Sequence, residues 1–523
     1  MAVEGTPGAA PSHRSFVTRH RSFAAAFVLG ALTVVGYAPF GAFPLPVLTL
    51  AALFFLWSGA PSPRVAALQG FGYGLGLFLL GVSWIYVSLH DFGAMPAPLA
   101  ALATLLFCAF LALLPAAAGY CSVRGRLSPA VASGVLAPAA WTLAEWTRGW
   151  IFTGFPWLGI GYSQVPASPL AGYAPVLGIY GVALATAASA GLIAVLALRA
   201  MANGGWRMAN VRSTLLSPAS VVLVSIWVAG FGLKQVAWTE PAGAPVTVSL
   251  LQGNVPQDLK WREDRVLPTL NTYRRLTETS RAKLIILPET ALPLFLQQVP
   301  EDYLEALAAH ARAQEGDILI GLPERISGGG YYNSVVSRGR SSPQVYRKSH
   351  LVPFGEFIPL RPLLAGIVGA LAIPLQDFSR GGAEQRPLAV GGQRVAVNIC
   401  YEDAFGEEII RQLPEATLLV NVSNVAWFGR SLAPRQHLQI SQARAMESGR
   451  VMLRATNTGM TGVIGPRGEL VEAAPEFTTA TVTREVQGYQ GATPYVRWGN
   501  YAALMLCLAL IALAYALRPR SAA

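Results

Sequence analysis

The sequence predicts a two-part chain: a polytopic α-helical membrane bundle of about eight spans joined to one water-exposed α/β domain. Three observations predict it. Hydrophobic residues make up 53% of the 523 and charged residues only 13%, about half the charged share of an ordinary soluble domain. Long apolar stretches recur through the first 239 residues and once more near the C-terminus. Between them the pattern switches to short β-branched runs that alternate with amphipathic stretches.

Seven segments, near 22–39, 43–60, 65–90, 96–119, 129–147, 172–198 and 217–236, and an eighth at 499–517 are each about as long as a bilayer requires. A turn at Pro39, Gly41 and Pro44 separates the first two. No small-residue cleavage site follows the first apolar run, so an uncleaved helix is expected there rather than a signal peptide. Eight spans put both ends on one side. Eleven arginines, from Arg14 to Arg520, fall on that side, against Arg148 and Lys234 on the other. The positive-inside bias then makes the ends cytoplasmic and places the domain between spans seven and eight outside. The expected division is a cytoplasmic tail at 1–21, a membrane domain at 22–239, an outer domain at 240–498, a last span at 499–517 and a short tail at 518–523.

The net charge of +11 follows the same division. Residues 1–239 hold three acids and eleven bases, whereas 240–498 hold 25 acids and 26 bases. The basic excess belongs to the membrane part, which argues against a nucleic-acid partner, since that would need bases clustered on the folded domain. Of four cysteines only Cys400 lies in the outer region, so no disulfide forms within it. An unpaired thiol in an oxidising compartment is a liability unless it is used. The aromatic loop Glu145–Trp157 also lies outside, either as an interfacial belt or as the lining of a lipid or substrate entrance.

In the outer domain, strands are expected at Val246–Leu251, Lys283–Leu287, Asp317–Gly321, Arg394–Ile399 and Thr417–Asn421, with helices near 262–281, 301–314, 405–412 and 434–449. That alternation argues an α/β domain with a buried sheet. Chemistry in such domains gathers where strands end, and there stand Glu289, Lys348 and Cys400; Lys348 is one of only four lysines in the chain. A cysteine attacks a carbonyl carbon best as thiolate, and a neighbouring base can take its proton. Glu289 suits that role when burial raises its pKa, and a lysine ammonium with a backbone N–H can stabilise the oxyanion. Glu356 and Glu402 add carboxylates able to hold the lysine or steer the nucleophile. A Cys–His pairing with His350 is an alternative that spacing alone does not exclude. No His/Cys cluster has metal-ligand spacing and no glycine-rich loop cradles phosphate, so neither metal nor cofactor is expected.

Together, Leu287-Pro-Glu-Thr290, Tyr346-Arg-Lys-Ser-His-Leu351 and Asn398-Ile-Cys-Tyr-Glu402, with Ala443–Glu447 and Arg454–Gly459, resemble the nitrilase superfamily of carbon–nitrogen hydrolases. Adding the eight-span frame, Leu251–Gln257 with Trp261, Val352–Glu356, Asn421–Gly429 and Gly149–Trp157, residues 22–517 resemble its membrane-embedded branch, the apolipoprotein N-acyltransferase family. The resemblance implies a nitrilase-like four-layer α-β-β-α sandwich above the bundle, in the bacterial inner membrane, with the catalytic domain on the periplasmic side. It implies ping-pong acyl transfer. A phospholipid, phosphatidylethanolamine or similar, gives its sn-1 acyl chain to Cys400 as a thioester. The α-amine of the diacylglyceryl N-terminal cysteine of an apolipoprotein then takes it. Family roles fall to Glu289 as general base, Lys348 as oxyanion stabiliser and Cys400 as nucleophile. Glu356 and Glu402 support them, Tyr401 shapes the site and offers its backbone N–H, and Trp261, Trp427 and Asn424 serve gates or substrate contacts. A monomer is expected.

The apolar stretch Phe357–Pro374, interrupted by an arginine and three prolines, is a poor bilayer helix. It is expected to dip into lipid and cover the site, rather than form a ninth span or a buried core helix. Such a lid would favour transfer to an amine over loss to water. Three rivals stand beside this reading, one of them a thiol-dependent scaffold with a dead site, which the intact Glu289, Lys348 and Cys400 set disfavours. A membrane-tethered amidase or nitrilase acting on a small amide shares the three residues but needs neither spans nor lid. A transporter with a ligand-binding outer domain is disfavoured by span interiors almost free of charge.

Overall fold

The computed structural model describes residues 13–203, 217–358 and 378–518. Most of the expected lid Phe357–Pro374 lies outside the described residues, as do Arg207, Arg212 and Arg520 of the charge asymmetry.

Helical structure occupies each of the eight apolar segments. It runs His13–Thr33, Pro44–Ser58, Pro63–Gly81 with Trp84–Phe92, Ala97–Arg124, residues 129–148, Ala174–Ala202, Pro218–Gln235 and Tyr501–Ala516. Among the described residues only three stretches are long and apolar enough to cross a membrane unaided: Ala97–Arg124, Pro169–Ala202 and Pro218–Gln235. A fourth joins them if Pro63–Gly81 and Trp84–Phe92, bent by 49°, count as one span. The helices His20–Gly36, Pro44–Ser58 and Tyr501–Ala516 are apolar but shorter. The expected count of eight is therefore not reached by length and composition. One segment fails for a local reason: a wide π turn at Ala132–Leu136 leaves only the 12-residue Ala137–Arg148, which carries Glu145 and Arg148.

Serine–proline pairs set several helix starts. Ser62, Ser128 and Ser217 each accept the backbone N–H three residues on, with proline in the first helical position. The helix Pro63–Gly81 packs through glycine on two sides. A Cβ on Gly70 would lie 2.3 Å from the Pro115 carbonyl oxygen, and one on Gly76 2.1 Å from that of Phe27. Such close backbone approach is how apolar helices associate where burying apolar surface gives no advantage.

Among the described residues the α/β domain holds two six-stranded sheets. The strands are β1 Glu240–Gln252, β2 Leu284–Ile286, β3 Asp317–Arg325, β4 Tyr331–Gly339, β5 Val345–Arg347, β6 Leu388–Val390, β7 Gln393–Ile399, β8 Leu418–Ser423, β9 Met452–Thr456, β10 Gly462–Ile464, β11 Leu470–Ala473 and β12 Ala480–Gln490. Their orders are β12-β1-β2-β3-β4-β5 and β11-β10-β9-β8-β7-β6. Strands β1, β2 and β3 run parallel, as do β7, β8 and β9. Side-chain alternation sorts the layers. Val248, Leu284 and Leu319 join Val397, Val420 and Leu453 in one core between the sheets. Ile285, Ile318 and Ile320 point the other way, onto Leu270, Leu304 and Leu307 of the helices Glu263–Thr279 and Glu301–Ala313. Ala396, Leu419 and Met452 meet Leu438 and Ala445 of the helix Ala433–Ser448. The result is the α-β-β-α sandwich the resemblance implied.

The five expected strands are β1, β2, β3, β7 and β8. The helix expected at 405–412 is only the single turn Gly406–Ile409 and a 3₁₀ turn Ile410–Gln412. Leu413 stands before Pro414, and the residue before proline is driven out of helical conformation. The helix Ala433–Ser448 joins the two parts: its Ile440, Ala443 and Met446 share one core with Trp141, Trp157 and Ile179 of the bundle.

Candidate active site

Glu289, Lys348 and Cys400 come together at the ends of β2, β5 and β7. Leu287 N still bonds Leu319 O at 2.9 Å, so the chain leaves β2 extended and turns only at Thr290, whose φ is +44°. Lys348 N donates to Asn333 O at 2.8 Å, carrying the β4–β5 ladder one residue past Arg347. Cys400 follows Ile399 directly, with φ +56°. A non-glycine residue is rare in that region, and the cost of order 1–3 kcal/mol persists only where surroundings enforce it.

In front of Cys400, Lys348 is 1% exposed and shared by two carboxylates. Its Nζ lies 2.8 Å from Glu356 Oε1 and 3.7 Å from Glu289 Oε1. Burial opposes its charge, but Glu356 and Glu289 outweigh that and hold its pKa above the ordinary lysine value. Glu289 is fixed from both sides: Oε1 accepts from Asn333 Nδ2 at 2.7 Å and Oε2 from Asn424 N at 2.7 Å. Glu356 Oε2 accepts from Val352 N at 2.8 Å, which ties the carboxylate to its own loop. Burial pushes the Cys400 thiol up, Glu289 adds to the effect and Lys348 opposes it. The resting group is therefore a thiol, which needs a base at the moment of attack.

Glu402 does something other than hold the lysine. Its Oε1 accepts from Ser349 N, Ser349 Oγ and His350 N at 2.7, 2.9 and 3.0 Å, and its Oε2 from Ile399 N and Tyr346 OH at 2.7 and 3.0 Å. It clamps the loop after Lys348 to the strand end before Cys400. His350 is engaged elsewhere: Nδ1 lies 3.0 Å from Glu408 Oε1 and the ring stacks on Phe405.

Behind Cys400 lies a polar cluster that the sequence reading did not find. The Cys400 carbonyl accepts from Asn421 Nδ2 at 3.0 Å and contacts His437 Nε2 at 3.2 Å. His437 Nε2 also lies 2.7 Å from Asp403 Oδ1. Asp403 Oδ2 accepts from Ser441 and from Arg454 Nη1, the latter at 3.2 Å. Burial disfavours the Asp403 carboxylate, yet His437 and Arg454 hold its pKa below the ordinary range.

Asn333 and Lys260 were missed too. Lys260 is 2% exposed, and its Nζ donates to Thr290 Oγ1 at 2.6 Å and to the Glu289 carbonyl at 3.4 Å. Burial pushes it down to about 8, with Glu289 and Cys400 acting the other way. The rarity of lysine, used to single out Lys348, applied equally to Lys260.

Asn424 sits inside the support of Glu289, its Nδ2 donating to Gln257 Oε1 at 2.7 Å. Trp261 and Trp427 stand at the surface, 46% and 39% exposed. Tyr401 OH donates to Gly154 O at 2.9 Å, and its ring lies parallel to Trp157 at 6.4 Å. The aromatic loop is thus divided: Trp150 and Phe152 are exposed, whereas Trp157 is buried against the nucleophile loop. No group of His, Cys, Asp and Glu among the described residues could hold a metal ion.

Residues 29–192 match the family model for an apolipoprotein N-acyltransferase N-terminal domain, and residues 228–495 that for carbon–nitrogen hydrolase. The chain is 54% identical to the apolipoprotein N-acyltransferase of Nitrosomonas europaea, over 91% of this chain and 93% of that protein. It is 46% identical to the protein of the same name from Chromobacterium violaceum, over 94% and 92%. A solved carbon–nitrogen hydrolase from Helicobacter pylori aligns with 53% of this chain and 95% of its own at 16% identity, with a TM-score of 0.34.

Proposed function

Because this chain belongs to the apolipoprotein N-acyltransferase family, we propose that it moves an acyl chain from a phospholipid, through a thioester on Cys400, to the N-terminal amine of a lipid-modified apolipoprotein. The donor is the sn-1 chain of phosphatidylethanolamine or a similar lipid, and the acceptor is the α-amine of a diacylglyceryl cysteine. The observation that carries this is the grouping in front of Cys400: a buried carboxylate fixed from both sides, and a lysine held charged by two carboxylates.

In the first half-reaction Glu289 takes the Cys400 proton as sulfur attacks the ester carbonyl. The oxyanion forms beside Lys348 Nζ and the Tyr401 backbone N–H. Glu289 returns the proton to the departing glycerol oxygen, leaving the thioester and a lysophospholipid. In the second half-reaction Glu289 takes a proton from the incoming amine, nitrogen attacks the thioester, and the thiol is restored. Trp261 and Trp427 meet the substrates at the rim. The setting is the bacterial inner membrane, with about eight spans, the sandwich on the periplasmic side, and a monomeric chain. Both substrates lie in the membrane plane, so the bundle packed beneath the nucleophile loop supports this placement.

Intact-mass spectrometry of wild type and Cys400→Ala with phosphatidylethanolamine and no acceptor tests the reading. The expected result is a wild-type gain of one fatty acyl group, released by neutral hydroxylamine and absent from the variant. No adduct on folded wild-type protein would turn the assignment to a membrane-tethered amidase.

A further inference from the structure

Gln436, on the helix Ala433–Ser448, makes three buried contacts that all lead into the bundle. Its Oε1 accepts the indole N–H of Trp157 at 2.8 Å and of Trp84 at 3.1 Å, and its Nε2 donates to Gly81 O at 3.0 Å. Gln436, Trp84 and Trp157 are 3%, 6% and 2% exposed. Gly81 ends the first member of the bent helix pair and Trp84 begins the second. The last carbonyls of a helix have no partner within it, so Gln436 supplies one at the break.

Two walls of the site meet at this amide. On one side, Trp84–Phe92 packs against the loop that carries Trp427: Trp84 meets Phe428 edge-on at 4.6 Å and Phe92 meets Trp427 at 6.4 Å. On the other side, the next residue, His437, contacts the Cys400 carbonyl, and the Trp157 ring lies 5.4 Å from the His437 ring. A lipid acyl chain bound for Cys400 comes from the apolar layer, and the bent pair packs from the bundle against the loop that carries Trp427.

We propose that Gln436 is a positioning residue: it locks the helix Trp84–Phe92 to the Cys400 loop, and so sets how well the phospholipid donor is held rather than how reactive the thiol is. The proposal rests on the phospholipid-donor reading above. Replacing Gln436 with leucine keeps the volume but leaves two buried indole N–H groups and one carbonyl unpaired. The cost is spent on the relative placement of wall and loop, because Asn421 still holds the Cys400 carbonyl.

The test uses the full-length protein in detergent micelles, as wild type, Gln436→Leu and Trp84→Phe. Single-turnover thioester formation is followed by intact mass against the mole fraction of phosphatidylethanolamine. Iodoacetamide alkylation, read at the Cys400 peptide, reports thiol reactivity in the same preparations. The half-saturating lipid fraction is expected to rise about tenfold in Gln436→Leu and about threefold in Trp84→Phe, which loses one hydrogen bond and half of the indole but keeps an aromatic ring there. The saturating rate and the alkylation rate stay within about twofold of wild type. Unchanged half-saturation in both variants overturns the proposal, as does an alkylation loss equal to the loss of thioester formation. If Gln436→Leu does not fold, the presence or absence of the threefold rise in Trp84→Phe decides. A wild-type protein that takes no acyl group removes the donor reading and this proposal with it; wild-type acylation with unchanged variants removes this proposal alone.

Discussion

The front and the back of Cys400 are both buried and both charged, yet they are built differently. In front, one lysine serves two carboxylates, at 2.8 and 3.7 Å. Behind, Asp403 and Arg454 are 0% exposed and laced to His437, Ser441 and Asn421. The front holds the groups that exchange protons in the proposed reaction. The back is a dry network in which Arg454 Nε and Nη2 and His437 Nδ1 already find no partner among the described residues, and such networks specify geometry but cost a great deal when a further partner is lost. The two faces should therefore fail differently when altered: the front in rate, the back in stability.

The largest effects lie in front. Cys400→Ala should abolish the thioester while leaving the thermal midpoint near wild type. Glu289→Gln keeps the shape but removes the base, and thioester formation should fall about 10²–10⁴-fold. Lys348→Met removes the cation facing the oxyanion and should cost about 10²–10³-fold. Stopped reactions read by intact mass, with Tm measured on the same samples, check all three. A Tm collapse in Glu289→Gln would break the contrast between the faces.

Behind Cys400 the expected loss is of stability. Asp403→Asn leaves the Arg454 guanidinium buried without its anion, a change that costs about 3–5 kcal/mol. Because its folded pKa is depressed, the Asp403 carboxylate stabilises the fold above the ordinary aspartate value of about 3.9, and that contribution is lost only as pH falls through the lower folded value. Denaturant melts of wild type and variant at neutral pH should differ by that amount and converge in strong acid.

Legibility from sequence follows the same division. Strands β1, β2, β3, β7 and β8 contain runs such as Leu284-Ile-Ile286 and Val395-Ala-Val397, buried on both faces and therefore apolar throughout. Strand β12 escaped notice because its burial alternates with many exposed positions, and β9 because it carries Arg454 into the core. Glu289, Lys348 and Cys400, which the structure brings together, were singled out because each follows a strand and because their motifs resemble those of the nitrilase superfamily. Asn333, Asp403 and His437 were not. Their partners stand 44, 51 and 37 residues away in Glu289, Arg454 and Cys400, and no local spacing announces a buried polar group satisfied from a distant strand. Helix positions were likewise clear, but the break at Val82–Ser83 and the π turn at Ala132–Leu136 depend on how neighbours pack.

Lys260 lies between the two faces and gives the smallest expected effect. It is buried like the groups behind Cys400, yet it sits beside Glu289 in front. Burial pushes it down to about 8, below the ordinary lysine value of about 10.4. The folded state therefore penalises its charge: the penalty is complete below pH 8 and is relieved as pH climbs toward the unfolded value, so stability rises across that window. Activity should run the other way. Once Lys260 is neutral, the Glu289 carboxylate and the developing thiolate lose a nearby positive charge, and thioester formation should fall about threefold above pH 8. Lys260→Met should start at the lower rate and show no such alkaline limb, because nothing remains there to titrate. Rates measured from about pH 6.5 to 9.5 distinguish this from a packing role, which would lower the whole profile and leave the limb in place.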